Sequence, residues 1–138
     1  MVRKMENQKN NIPNLDKICA KIGFEVINDG INNEKAKEFE REITKALGIL
    51  MEDGLFAYAI WLESKKKEDD DVYSKIIEKS KELLKDEKLK LTKTDKDDLI
   101  DAILNDISNN LQKTILAKQL LERMLIYARY RAKALQSD

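Results

Sequence analysis

The side chains able to do chemistry in this chain of 138 residues are few and scattered. Histidine is absent altogether, which removes the usual proton shuttle near neutral pH, a common metal ligand and the base of a serine–histidine relay. The one cysteine, Cys19, sits in Asp16-Lys17-Ile18-Cys19-Ala20 and would need a base from elsewhere in the fold to act as a nucleophile. Free cysteines more often behave as small buried hydrophobes. The run Glu68-Asp69-Asp70-Asp71 offers hard oxygen ligands of the kind Mg²⁺ takes. Consecutive carboxylates ahead of Val72-Tyr73 read instead as a solvated connection, with Asp71 capping the next helix. Glu78 and Glu82 lie one helical turn apart, but Lys75, Lys79, Lys81 and Lys85 surround them, as on a salt-laced outer face. With four glycines and one proline there is no phosphate-cradling loop. The inventory points away from an enzyme: no catalytic residue, metal ligand or cofactor is expected.

What remains is charge in a pattern. Twenty-six basic and 26 acidic residues cancel, so the whole-chain charge names no partner. From Leu111 to Ser137, however, the count is 6 basic against 1 acidic. If this stretch is one helix, at about 100° per residue Leu116, Leu120, Leu121, Met124, Leu125, Ala128 and Ala132 share a broad core face. Lys118, Arg129 and Lys133 then fall on the opposite face within about 60° of one another. Glu122 interrupts the stripe, Ile126 lies near it and Arg123 stands to one side. Arg131 points nearer the apolar face, where its stem can snorkel. Cations repeated by helical turns can follow a phosphate backbone, giving salt-sensitive affinity that is blind to sequence. The plainer reading is a solvated face whose cations favour the helix C-terminus. Charge geometry separates the two: if Lys118, Arg129 and Lys133 are each paired with a carboxylate, the nucleic-acid reading loses its physical basis.

The elements that must carry this face are all helical. Residues 1–13 are polar and form a flexible N-terminal segment or a docking arm, and 14–138 form a single helical domain. Asn14 can cap a helix through about Asn28, with Leu15, Ile18, Cys19, Ile22 and Val26 inward and Gly30 as its stop. Asn33 can cap a second, whose stripe of Phe39, Ile43, Ala46, Leu47 and Leu50 ends at Gly54. Gly48 lies inside it at a cost of about 1 kcal/mol relative to alanine, which close packing against a neighbouring helix would explain. A third helix carries Leu55, Tyr58, Ala59 and Leu62 together with the only tryptophan, Trp61. The charged connection leads to a helix over about Asp71 to Lys85, and Asp86 to Lys93 reads as a loop. Thr94-Asp95-Lys96-Asp97 approximates a capping box for a helix with Leu99, Ile100, Ile103, Leu104 and Ile107. Ser108-Asn109-Asn110 recaps the chain into the long last helix. The expected fold is all-α, a compact single-domain bundle of about five to six helices with a long C-terminal helix. No apolar run approaches the roughly 20 residues of a membrane span. A single cysteine leaves the reducing cytoplasm as the default location.

At the centre of the chain two apolar helical runs meet at Glu52-Asp53-Gly54-Leu55, and the second ends in Trp61-Leu62-Glu63-Ser64-Lys65. The last helix reads Leu116-Ala117-Lys118-Gln119, then Leu120-Leu121, then Ala128-Arg129-Tyr130-Arg131-Ala132. These segments resemble the small all-helical subunit, the fifth Cmr protein, of the type III-B CRISPR effector (Cmr) complex. That family has an Asn/Asp-Gly-Leu corner, an apolar and aromatic helix ending near a Ser/Ala-Lys, and a last helix with a small-Thr-Lys-Glu element, a Leu-rich stretch and an Arg-Arg-Phe-Ala close. This chain departs in having Ala117 for the threonine, Gln119 for the acidic residue and its aromatic between two arginines. The resemblance covers about Leu15 to Leu135, although the middle from Glu68 to Lys93 matches in helical character alone.

The resemblance implies a non-catalytic scaffold of an antiviral RNA-silencing complex. Copies would stack on one another and on backbone subunits, with a basic surface toward the guide RNA and target RNA. Such a protein reads backbone and shape and leaves sequence to base pairing. Lys118 and Arg129 are the first candidates for RNA contact, followed by Arg123, Lys133 and Lys65. The alternatives are an all-helical protein-interaction adaptor or assembly subunit without nucleic-acid contact, and the small subunit of the related type III-A complex. Balanced charge at 38% of residues suits an assembly subunit equally well.

Overall fold

Side-chain caps set where most of the helices begin. In the computed structural model, which describes residues 14–68, 71–86, 91 and 98–136, Asn14 accepts a hydrogen bond from the Lys17 amide at 3.0 Å and opens α1 (Leu15–Glu25). Asn32 accepts from the Lys35 amide at 2.7 Å and opens α2 (Asn33–Asp53). The cap is thus one residue ahead of the Asn33 expected from sequence. Helix α3 (Leu55–Lys65) has no side-chain cap, because it follows α2 across a single residue, Gly54. At φ 98° Gly54 takes a conformation costly for any residue with a Cβ, and its amide bonds the Ile49 and Leu50 carbonyls. Asp71 opens α4 (Val72–Lys85) by accepting from the Ser74 amide at 2.8 Å, and also gathers the Lys67 and Glu68 amides.

Helix α5 is short. It spans Leu99–Ala102 and runs into one π-helical turn, Ile103–Ile107, closed by the Ser108 amide on the Ile103 carbonyl at 2.8 Å. Its cap is Asp98, which accepts from the Asp101 amide at 2.7 Å. The capping box expected at Thr94–Asp97 lies outside the described residues, as do residues 1–13. Asn110 then caps the long α6 (Leu111–Ala134) through the Lys113 amide at 3.1 Å. A second boundary differs from the sequence reading. Helix α1 stops at Glu25, short of Asn28, because Val26 and Ile27 turn inward and bury themselves. Within the stretch read as a loop, Leu91 is buried and its amide bonds the Leu84 carbonyl at 2.9 Å.

The bundle is organised around α6, which packs against α1 on one flank and α2 on the other, while α1 and α2 do not touch among the described residues. Ala117, Leu121, Met124, Leu125, Ala128 and Ala132 of α6 have no exposed surface. The contact with α1 is closest at Gly23, where an added Cβ would meet the Met124 carbonyl oxygen at 2.5 Å and the Tyr127 Cβ at 3.1 Å. Gly48 does the opposite. A Cβ there would meet nothing within 4 Å, so the close packing expected at Gly48 is absent and Gly23 is the glycine that packing demands. Helices α3 and α4 close the remaining side. Tyr58 is fully buried with its hydroxyl 2.6 Å from Ser80 Oγ, and Trp61 meets Tyr73 edge to face at 5.7 Å.

Candidate nucleic-acid interface

The partners of the α6 cations sort them onto two flanks. On the α2 flank, Lys118 Nζ donates to the Met51 carbonyl at 3.4 Å, at the C-terminal end of α2. It also stands 3.6 Å from Glu122, one turn along its own helix. Fifteen residues further on, Lys133 Nζ is 3.8 Å from Glu40, near the start of α2. These two contacts show that α2 and α6 run antiparallel, with the cation stripe along their seam. Between them lies Arg129, for which no carboxylate comes within ion-pairing distance among the described residues. The condition set by charge geometry is therefore met at Lys118 and Lys133 and not at Arg129. Exposed pairs of this length contribute about 0–1 kcal/mol, so a phosphate could replace either carboxylate at small cost.

The α1 flank holds a different arrangement. Arg123 Nη1 donates to Asp16 Oδ1 at 2.8 Å, and the Tyr127 hydroxyl donates to the same oxygen at 2.7 Å. The Tyr127 hydrogen bond, then the Arg123 guanidinium, holds the Asp16 carboxyl below its ordinary value. Arg123 is thereby tied to α1 and turned away from the Lys118–Arg129–Lys133 seam. Arg131 joins it on this flank, bonded to Asp29 with its guanidinium 5.9 Å from the Phe24 ring centre. Lys65 belongs to neither flank. It ends α3, about 15 Å along the helix axis from the corner beside which Lys118 docks, and no ion pair is formed by it among the described residues.

Sequence reasoning missed a buried carboxylate. Glu42 of α2 is 5% exposed, accepts a hydrogen bond from the Tyr73 hydroxyl at 2.7 Å, and has Arg41 at 3.0 Å and Lys45 at 3.5 Å. Burial alone would raise its pKa, but the Tyr73 and Arg41 hydrogen bonds and the two nearby cations carry it below the ordinary value. Burial and the same bond push Tyr73 up to about 12. The cluster ties α2 to α4 through groups already matched to one another. Cys19 is fully buried, and burial pushes its thiol up to about 11, as suits a small core residue. Its Sγ lies 3.5 Å from the Leu120 carbonyl. Asp71 is committed to its three amide donors, while Asp69 and Asp70 of the acidic run lie outside the described residues. No group of three or more candidate metal ligands occurs among the described residues.

Among the described residues no helix is long and apolar enough to cross a membrane. No curated protein and no solved structure matches this chain. A family model does. The model for CRISPR-associated protein (Cas_Cmr5) matches residues 15–135, from the first residue of α1 to the residue that caps α6, so the match takes in the Gly54 corner and the whole cation seam. The chain belongs to the Cas_Cmr5 family, the small CRISPR-associated subunit of the type III-B Cmr complex.

Proposed function

We propose that this protein is a non-catalytic structural subunit of a Cmr RNA-silencing complex, acting in defence against foreign nucleic acid. It stacks with copies of itself and with backbone subunits, and it touches the guide and target RNA along the seam between α2 and α6. One observation supports the RNA contact beyond family membership. Arg129, half-buried on α6, has no carboxylate within ion-pairing distance among the described residues and stands between two lysines whose own ion pairs are weak. A guanidinium in that position is free to bind a phosphate with paired N–H donors. Such contacts fix the subunit along a backbone without reading bases. Arg123 and Lys65 carry less of this role, since one is tied to Asp16 and the other stands apart at the end of α3.

The test is RNA–protein photocrosslinking in the reconstituted Cmr complex, with crosslinked peptides located by mass spectrometry. Adducts within 118–133 support the reading, and adducts confined to other subunits contradict it. The second reading, an assembly adaptor without nucleic-acid contact, is favoured by the carboxylates beside Lys118, Lys133 and Arg123, and would give the latter result.

A further inference from the structure

Two of the four glycines follow an aspartate, at Asp29-Gly30 and Asp53-Gly54. Such a pair is chemically vulnerable, because a glycine without a Cβ lets the carboxyl carbon of the preceding side chain reach the glycine amide nitrogen. The reaction needs that nitrogen free and the backbone around it able to turn. The fold treats the two pairs in opposite ways. Asp53 is the last residue of α2, and the Gly54 amide bonds the Ile49 and Leu50 carbonyls, both at 3.2 Å. Attack there requires breaking both bonds and unwinding the helix end.

Asp29 and Gly30 stand in the turn between α1 and α2, outside any helix. Asn28, Asp29 and Gly30 are all exposed, the Asp29 side chain at 84%. The Gly30 amide has no acceptor among the described residues. Nothing lies within 4 Å of where a Cβ on Gly30 would stand, so the turn has room to move. One contact holds the Asp29 carboxylate, the hydrogen bond and ion pair from Arg131 of α6. At such exposure an ion pair is weak and opens readily. No other acceptor serves Arg131 among the described residues, and its Nε is buried without a partner.

We propose that Asp29 is a self-modification site, which isomerises to isoaspartate in the folded protein and so releases Arg131 from its carboxylate. The Gly30 nitrogen loses its proton and attacks the carbon of the protonated Asp29 side-chain carboxyl. The new C–N bond closes a five-membered succinimide, and the carboxyl hydroxyl leaves with a proton as water. Water then adds to either ring carbonyl. Opening at one restores aspartate, and opening at the other routes the main chain through the former side chain and leaves the free carboxyl on Cα. One water is released and one consumed, so no oxidant or cofactor is needed. The product lengthens the main chain by one atom and draws the carboxylate back toward it, away from Arg131. This inference stands apart from the RNA reading.

The test holds the full-length protein folded in neutral buffer and samples it over weeks. Electron-transfer fragmentation of tryptic peptides locates isoaspartate by the extra main-chain bond it introduces. Isoaspartate should accumulate at residue 29 roughly tenfold faster than at residue 53, because only the second site must open a helix end first. In urea, where both amides are free, the two rates should converge. The denaturation midpoint should fall as isoaspartate accumulates in the natural chain and hold in an Asp29→Glu variant, whose longer side chain cannot close the five-membered ring. Equal rates at the two sites in the folded protein, or none at residue 29, would overturn the assignment. A midpoint that does not follow isoaspartate content would overturn the release of Arg131.

Discussion

A Cβ on Gly23 would stand 2.5 Å from the carbonyl oxygen of Met124, so α1 lies against α6 at this distance only because residue 23 has no side chain. The other helix-interior glycine, Gly48, faces open space. The two therefore answer alanine substitution with opposite sign. Gly23→Ala should cost about 1–3 kcal/mol by overpacking, and Gly48→Ala should gain about 0.5–1 kcal/mol by removing backbone entropy from the unfolded chain. Urea unfolding of both variants checks this. A loss at Gly48, or tolerance at Gly23, would contradict the packing described.

Glu42 makes stability depend on acid. Its folded-state pKa lies below the ordinary carboxylate value, so the unfolded chain takes up its proton first as pH falls. The contribution is complete above the ordinary value of about 4.5 and is lost as pH drops through the folded value. Glu42→Gln should lower stability at pH 7 by about 1 kcal/mol and flatten the loss below about pH 4.5. Thermal unfolding from pH 7 to pH 3 reads both effects. An unchanged acid slope in the variant would place the titrating group elsewhere.

Burial and a pKa of about 11 make Cys19 inert in the folded state. Labelling by an aromatic disulfide reagent at pH 8 should proceed at the rate of opening of the α1–α6 contact and accelerate sharply in denaturant. Rapid labelling of the native protein would show that α1 is not seated as described.

Local rules reached much of this structure from sequence and failed where distant residues meet. The caps at Asn14, Asp71 and Asn110 each bond an amide three residues ahead, so the signal is contained in a short window. At Asn32-Asn33 two adjacent residues can serve equally and only the fold selects the first. The core face of α6 followed helical period almost throughout, although Leu116 ended half-exposed. Spacing cannot foretell that Arg123 reaches Asp16, 107 positions away, or that Glu42 meets Tyr73, 31 positions away. Gly48 looked like the packing glycine because both glycines lie inside helices, and which of them has a neighbour is decided by α6 alone. The stripe of Lys118, Arg129 and Lys133 was legible as geometry, and so was Glu122 one turn from Lys118, whereas Glu40 beside Lys133 was not, since it comes from another helix.

The central claim is that RNA runs along the α2–α6 seam. The most direct measurement is target-RNA capture by the reconstituted Cmr complex at two salt concentrations, comparing the natural chain with a Lys118→Glu/Arg129→Glu variant that still assembles. Affinity should fall and the slope of log affinity against log salt should become shallower by roughly one for each phosphate contact removed. The same affinity and the same slope would make the seam a solvated surface and leave the subunit a protein spacer within the complex.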